Sequence, residues 1–281
     1  MKRVEDRIEY YTDMLKNEFS PTDIADHSVS PKYVYYSRSF WYKIKHFFWN
    51  KIVAWPVAFF HSKCRFSWKL VNKKVFKKAK HTSYFIYGNH TQQFFDAGMS
   101  KIISPHEAYV MVNPENLHIK GIGWLVRRLG ALPVPSNIEQ TKKFVKAVDE
   151  IVQDKKPIMI YPEAHIWPYS TIVRPFVATS FRYPVKYDVP TFCFTNTYHK
   201  RKNGKVKIIT YVDGPFYPNT DLPVKEQIQD LRDRVYQSMV ERSKLSTHTF
   251  VKYLPISEKP TTDTPNESTT ENNVDNDVTQ N

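Results

Sequence analysis

The chain has 281 residues, of which 41% are hydrophobic and 15% aromatic, with 19 prolines and 7 glycines. This length is enough for one α/β domain with its own core, and this composition excludes a disordered or fibrous protein. The formal net charge of +13 favours anionic partners such as nucleic acid, an anionic bilayer or an acidic protein. Since no nucleic-acid-binding fingerprint occurs, the sequence does not favour nucleic acid among them.

The two cysteines, Cys64 and Cys193, lie far apart and lack metal-ligand spacing. They predict buried thiols in a reducing compartment and neither a metal site nor a disulfide. The first residues mix acids with bases and lack the apolar region of a secretory signal. The longest uncharged apolar run, Ile52 to Phe60, is too short for a bilayer span, which needs about 20 residues. We therefore expect a soluble or peripheral protein.

The N-terminal residues 1–75 differ in composition from the rest of the chain. Residues 4–18 have helical composition and mixed charge, which predicts a solvated helix. Between Ser39 and Leu70 the chain interleaves Trp and Phe with lysines, as in FWYKIKHFFWNKIVAWPVAFF. This mixture is typical of rings that enter lipid while cations meet headgroups, and a helix that packs these rings onto the core is the alternative. We predict a helical, membrane-apposed extension.

A short apolar run, Tyr84 to Tyr87, predicts a buried strand. It stops at Gly88 and Asn89, which tolerate the positive φ of a tight turn. His90 follows, and Asp96 lies six residues further on. A carboxylate near a histidine can fix its tautomer and stabilise the imidazolium, as a general base requires. From these residues alone, a structural histidine remains the alternative.

Strand-like and helical patterns alternate through the rest of the chain. Strands are predicted at residues 108–112, 132–134, 157–161, 191–195 and 206–212, and helices after an N-cap at Thr91, around Arg127 and Arg128, over 138–153 and over 222–242. In the helix over 138–153, the predicted apolar face contains Ile138, Thr141, Val145, Val148 and Val152. This alternation predicts an α/β fold with a mixed, mostly parallel sheet flanked by helices, whose chemistry lies at the carboxyl ends of the strands. Residues 257–281 have the composition of a disordered acidic tail, which leaves 76–256 as the main domain.

Four segments occur in the order of the motif blocks of one known family: Asn89-His90 with Asp96, Gly123 to Arg128, Tyr161-Pro162-Glu163, and Val189-Pro190. Over about residues 83–198 the chain resembles the glycerolipid (lysophosphatidate) acyltransferase family, and most of all its branch from low-GC Gram-positive bacteria with GNHTQ and YPEAHIWP. The resemblance implies an O-acyltransferase of phospholipid synthesis, peripheral at the cytoplasmic face of the cell membrane, that needs no cofactor. Its implied partners are acyl-CoA or acyl-carrier protein, a lysophospholipid acceptor such as 1-acylglycerol-3-phosphate, and an anionic membrane surface.

The resemblance also implies roles for single residues. His90 would be the catalytic base and Asp96 its orienting partner, and the implied substrate-binding residues are Asn89, Thr91, Arg127, Arg128 and Glu163. Five residues separate His90 from Asp96, one more than in the family. The third block reads EAHI, so the family's Gly and Arg are absent there, and Arg174 is the candidate for the missing phosphate contact.

Three alternatives stay open at this point. The protein could remodel another lysolipid as an acyltransferase or transacylase, or it could be an inactive lipid-binding protein on the same fold, an idea that the shifted Asp96 favours. His165 reads as a structural residue, with metal binding by His90 and His165 as the alternative. No Gly-x-Ser-x-Gly elbow occurs, so an acyl-enzyme is not expected.

Overall fold

A seven-stranded sheet forms the centre of the molecule in the computed structural model, which describes residues 4–20 and 29–260. The strands of the described chain are β1 Arg7–Tyr11, β2 Lys69–Val71, β3 Phe85–Gly88, β4 Tyr109–Val112, β5 Ala131–Pro133, β6 Ile158–Ile160, β7 Thr191–Lys200, β8 Val206–Phe216 and β9 Val251–Pro255. The helices are α1 Phe40–Phe47, α2 Trp55–Phe66, α3 Gln93–Ile102, α4 Gly123–Arg128, α5 Ile138–Gln153, α6 Arg182–Tyr187 and α7 Val224–Ser243, and a π-helical segment, Phe48–Ala54, joins α1 to α2.

The strand order in the large sheet is β2-β8-β7-β3-β6-β4-β5. All neighbouring pairs are parallel except β7 and β8, which are antiparallel. The predicted fold class, an α/β fold with a mixed, mostly parallel sheet, is therefore confirmed. Because β3 and β6 are adjacent and parallel, the residues that follow them meet at the same edge of the sheet.

Both faces of the sheet are covered by apolar clusters. On one face the strands pack against α5, α6 and α7, and on the other against α2 and α3. The β3 strand is enclosed on both faces, since all of its residues are buried. Gly88 does not adopt the positive φ that its place in a turn predicts. A Cβ at this glycine would lie 2.0 Å from the Phe194 ring of β7, so close packing is the reason for a glycine here.

The α5 helix forms over the predicted residues, but it is rotated relative to the predicted face. Asn137 caps it by accepting a hydrogen bond from the Gln140 backbone N–H. Its buried residues include Phe144, Val148 and Ile151, whereas Ile138 is exposed. The phenylalanine belongs to the core face, which the valine and isoleucine spacing alone did not indicate.

The N-terminal residues do not form the helix predicted over 4–18. Residues Arg7–Tyr11 form β1, which pairs in parallel with β9 in a separate two-stranded sheet. A strand of five residues becomes stable here because its partner, more than 200 residues away, supplies the hydrogen bonds. Residues 40–66 are helical as expected, but β2, which follows them, belongs to the large sheet.

Two further expectations concern the membrane and the tail. No helix in the described ranges combines the length and apolar character that a membrane span needs. The predicted tail begins beside a 3-10 turn, Ile256–Glu258, and its residues 261–281 lie outside the described part of the chain.

Candidate active site

The candidate site lies where β3 and β6 end. Parallel pairing aligns Tyr87 with Ile160, so His90 and Glu163, each three residues further on, emerge side by side. The β7 strand runs past this edge, since Gly88 is in register with Phe194 and Asn196 lies two residues beyond. Three neighbouring strands therefore supply the polar groups of the site.

His90 and Asp96 are paired. The imidazole Nδ1 lies 3.0 Å from Asp96 Oδ2, and the carboxylate side chain is fully enclosed. An ionised carboxylate can only accept hydrogen bonds, so the proton is on Nδ1 and Nε2 is left as a base. The additional residue between these side chains does not prevent the pairing, and this removes the main argument for an inactive protein.

The loop before α3 accommodates the extra residue by bonding to Asp96 itself. The Asp96 Oδ2 atom also accepts hydrogen bonds from the backbone N–H groups of Thr91 and Gln92, at 2.7 and 2.8 Å. The helix begins at Gln93, with Gln92 rather than the predicted Thr91 at its N-cap. Burial raises the pKa of Asp96, and the hydrogen bonds from His90 and from these two backbone groups oppose the shift.

His90 is fixed on its other sides as well. Its ring stacks on Tyr161 with ring centroids 4.4 Å apart, and the Tyr161 hydroxyl donates to the Asp96 carbonyl at 2.6 Å. The His90 backbone N–H donates to Glu163 Oε2 at 3.4 Å, and the His90 carbonyl accepts from the backbone N–H of Trp167 at 3.1 Å. Such constraints hold the imidazole in one orientation, which general-base catalysis needs.

Glu163 and Arg174 form a buried ion pair rather than a surface for a lipid phosphate. Arg174 is 0% exposed, and its Nη2 lies 3.2 Å from Glu163 Oε2. The guanidinium also donates to the carbonyls of Met14 and His165 and lies over the Trp167 ring at 4.8 Å. Burial raises the pKa of Glu163, and the arginine charge opposes this shift. Arg174 therefore does not present its guanidinium to solvent in this structure, and its contacts are those of a support for the turn.

Asn89 and Thr91, both predicted to bind substrate, are also buried supports of the site. The Asn89 side chain accepts from the Asn196 backbone N–H at 2.8 Å and donates to the Asn196 carbonyl at 3.1 Å. The Thr91 hydroxyl accepts from the Tyr198 hydroxyl at 2.8 Å. Both side chains are engaged within the protein, and their contacts tie the His90 loop to β7.

Arg127 and Arg128 lie on α4 and are exposed. This short helix lies in the connection between β4 and β5, and Arg128 is three residues before the start of β5. Arg128 lies over the rings of Trp49 and Trp124, at 5.8 and 5.1 Å, and Arg127 donates to the Leu117 carbonyl. Both guanidinium groups remain available to an anionic ligand.

The geometry also bears on two other possibilities considered from the sequence, a cysteine nucleophile and a metal site at His90 and His165. Burial raises the pKa of Cys193 to about 12, so this thiol stays protonated and is a poor nucleophile. His165 pairs with Glu18 at 3.2 Å instead of approaching His90 as a metal ligand would. Within the described ranges, His, Cys, Asp and Glu side chains do not assemble into a group of three that could hold a metal ion.

Sequence reasoning missed the residues that hold the site from behind, above all Asn196 and Trp167. Asn196 donates from its side chain to Asp96 Oδ1 at 3.3 Å. An isolated asparagine in a strand pattern carries no signal of such a contact, because the partner comes from another element. Tyr161 could have been found, since it stands directly before the Pro-Glu of the third block.

Comparisons with known proteins agree with this architecture. A sequence model of the family described as Acyltransferase matches residues 70–220, more than half of the chain. The crystal structure of the 1-acyl-sn-glycerophosphate (LPA) acyltransferase PlsC from Thermotoga maritima is similar in fold, with a TM-score of 0.53 at 15% sequence identity over 76% of this chain and 87% of that chain. No curated protein matches the chain significantly. The family match, on the fold and the motif order already described, confirms the family that the sequence resembles: the chain belongs to the acyltransferase family, and the protein is an acyltransferase.

Proposed function

We propose that the protein transfers an acyl group from acyl-CoA or acyl-carrier protein to the free hydroxyl of a lysophospholipid, and that the acceptor is 1-acylglycerol-3-phosphate. The observation that carries the proposal is the 3.0 Å contact between His90 Nδ1 and Asp96 Oδ2, which leaves Nε2 as the basic nitrogen. The similarity in fold to a lysophosphatidate acyltransferase agrees with this acceptor.

The reaction follows from these two side chains. His90 Nε2 removes the proton of the acceptor hydroxyl as its oxygen attacks the thioester carbonyl, and Asp96 stabilises the imidazolium that forms. The tetrahedral intermediate collapses with cleavage of the carbon–sulfur bond. The thiolate takes the proton from the imidazolium, so an ester and a free thiol are the products and His90 is neutral again.

The helix over residues 40–66 supports a peripheral membrane location at the cytoplasmic face. Its outward side is apolar, with Trp41 68% and Phe48 48% exposed, whereas Asn50, Ala58 and Ser62, three of the four residues that it buries, are small or polar. The fourth, Phe66, is its last residue. An ordinary surface helix has the opposite arrangement. Exposed apolar rings with lysines beside them are suited to the interface of an anionic bilayer.

This apolar surface continues to α4, which supports a headgroup site there. Trp49 packs against Trp124 with ring centroids 5.2 Å apart, and Arg128 lies over both rings. A lipid whose chains enter the bilayer beside these rings would bring its phosphate towards Arg127 and Arg128. Arginine binds phosphate well because its guanidinium can donate two parallel hydrogen bonds.

A second acceptor remains a candidate on one specific observation. The third block and the turn after it offer no accessible arginine, because Ile166 stands where the family has arginine and Arg174 is buried. A lysolipid without a terminal phosphate would not need that cation. Remodelling of such a lysolipid is therefore the alternative that the acceptor assay must separate.

The experiment measures thiol release from acyl-CoA and acyl-carrier protein in the presence of anionic vesicles that contain lysophosphatidate, another lysophospholipid or monoacylglycerol. His90→Ala should lower turnover by at least roughly 100-fold, the contribution of a positioned base, with little change in Tm. Asp96→Asn should cost less. The matched control is His81→Ala, an exposed histidine, which should leave turnover unchanged. An active His90→Ala enzyme would refute the mechanism, and a preference for a lysolipid without a terminal phosphate would refute the acceptor alone.

A further inference from the structure

A buried chain of hydrogen bonds stands behind Asp96. The Asn196 side-chain N–H donates to Asp96 Oδ1 at 3.3 Å, and Asn196 Oδ1 accepts from the Thr210 hydroxyl at 2.7 Å. The Thr210 oxygen in turn accepts from the Trp68 indole N–H at 2.8 Å. All four side chains are buried, and they come from four different parts of the fold.

Asn196 and Thr210 interrupt the apolar side chains of two neighbouring strands, β7 and β8. On β7, Asn196 lies between Phe194 and Tyr198 on one face, and Thr210 is its direct partner on β8. Placing an amide and a hydroxyl among buried rings is costly unless both are hydrogen bonded. Apolar residues at these two positions would pack equally well, so the presence of Asn196 and Thr210 requires a reason other than packing.

The Trp68 indole sets the donor-to-acceptor direction of this chain of hydrogen bonds. An indole N–H is a donor only, so it occupies the Thr210 oxygen as an acceptor and directs the hydroxyl proton towards Asn196. This orients the asparagine amide with its oxygen towards Thr210 and its N–H towards Asp96. The opposite amide orientation would place a carbonyl oxygen against the carboxylate.

We propose that Asn196 is a positioning residue for acyl transfer: it holds Asp96 as an ionised acceptor turned towards His90, and Thr210 and Trp68 set the orientation of its amide. This inference rests on the proposed function of His90 as the base. Asp96 Oδ2 is already shared by His90 and two backbone N–H groups, so Asn196 supplies the donor for the other oxygen. Holding both oxygens prevents the carboxylate from rotating away from the imidazole.

Two substitutions of Asn196 give different expectations. Asn196→Leu keeps the approximate volume and removes the donor, so kcat should fall by about 10- to 100-fold with KM nearly unchanged, by the same factor at every pH. In Asn196→Asp the introduced carboxyl group can donate its proton to Asp96 while it is protonated. As the pH rises it ionises, and two carboxylates then repel each other. The activity of this variant relative to wild type should therefore fall with rising pH.

The charged and titratable groups near Asp96 are His90, Tyr161 and Tyr198, and Glu163 with its partner Arg174 lies beside His90. Both variants retain all of these groups. Thr210→Val removes only the orienting hydroxyl and should lower kcat by a smaller factor, roughly three- to tenfold. The control is Thr195→Val, which lies next to Asn196 in β7 and points to the opposite face of the sheet. The Thr195 hydroxyl is buried and has no hydrogen-bond partner among the described residues, so kcat should stay unchanged.

The assay is thiol release with the acceptor that the wild-type enzyme prefers, at several pH values, with circular dichroism at each pH to establish that the variant is folded. NMR of protein with ¹⁵N-labelled histidine reads the His90 tautomer independently of turnover, and Asn196→Leu should lose the uniform Nδ1-protonated form. A folded Asn196→Leu with wild-type kcat would overturn the inference, as would equal, pH-independent losses in the Leu and Asp variants. If Asn196→Leu does not fold, unchanged kcat in Thr210→Val together with a flat pH ratio in Asn196→Asp overturns it. An active His90→Ala enzyme would instead refute the proposed function, while the tautomer measurement would still test the network.

Discussion

Arg174 permits a direct test of whether the charge in the turn after the third block binds substrate or supports the fold. Its guanidinium pairs with Glu163 at 3.2 Å in a fully buried position, and Glu163 also accepts a hydrogen bond from the His90 backbone N–H. Arg174→Ala would leave the glutamate buried without its partner and two carbonyls without a donor. We expect a loss of stability and, through the His90 loop, an equal loss of turnover on every acceptor.

The size of the effect follows from the burial of the pair. Removal of one partner of a buried ion pair costs about 3–5 kcal/mol, because the remaining charge is uncompensated. For a domain of this size about 1 kcal/mol corresponds to roughly 2–4 °C, so the Tm should fall by about 6–20 °C. The double variant Glu163→Gln with Arg174→Met should lose less than Arg174→Ala, because it leaves no unpaired charge.

The measurements are urea or thermal unfolding and kcat/KM for lysophosphatidate and monoacylglycerol. Arg182→Ala is the matched control, since this arginine is exposed and its loss should change stability by no more than about 0.5 kcal/mol. A stable Arg174→Ala enzyme that loses turnover only with lysophosphatidate would refute the structural role and restore the arginine as a phosphate ligand.

Two further predictions follow from exposed and buried groups. Replacement of Trp41, Phe48 and Trp49 with serine should lower binding to anionic vesicles in a sedimentation assay without unfolding the domain, and unfolding would mean that these rings belong to the core. Burial lowers the pKa of Lys101 to about 7, although its ammonium donates to the carbonyls of Ala108 and Leu129. Between about pH 7 and 10 the lysine is protonated in the unfolded chain and neutral in the folded protein. The free energy of unfolding of the wild type, measured by urea unfolding, should therefore rise with pH over this range. The rise should reach about 4–5 kcal/mol relative to Lys101→Met. An identical pH dependence in the two proteins would show that the lysine titrates normally.

The sequence was sufficient to predict the alternating strands and helices and the edge at which the site lies. A short apolar run such as Tyr84–Tyr87, bounded by turn residues, favours a buried strand, and the periodicity of 138–153 predicts a helix before any partner is known. The order of the four blocks predicted the family. In contrast, β1 was misread as a helix, because five residues of mixed charge have no strong local preference and the parallel partner β9 decides their conformation.

Tertiary structure alone decided the roles of the charged and polar groups. Arg174 and Arg128 look equivalent in the sequence, yet one is enclosed beside Glu163 and the other lies exposed over Trp124. Likewise, the aromatic residues of 40–66 are visible in the sequence, but only packing shows that most of them face outward while Phe66 is buried. Local periodicity depends on neighbours within a few residues and is readable from the chain. Burial, pairing and orientation depend on groups that are distant in the chain, such as Asn196 and Asp96, and only folding brings these together.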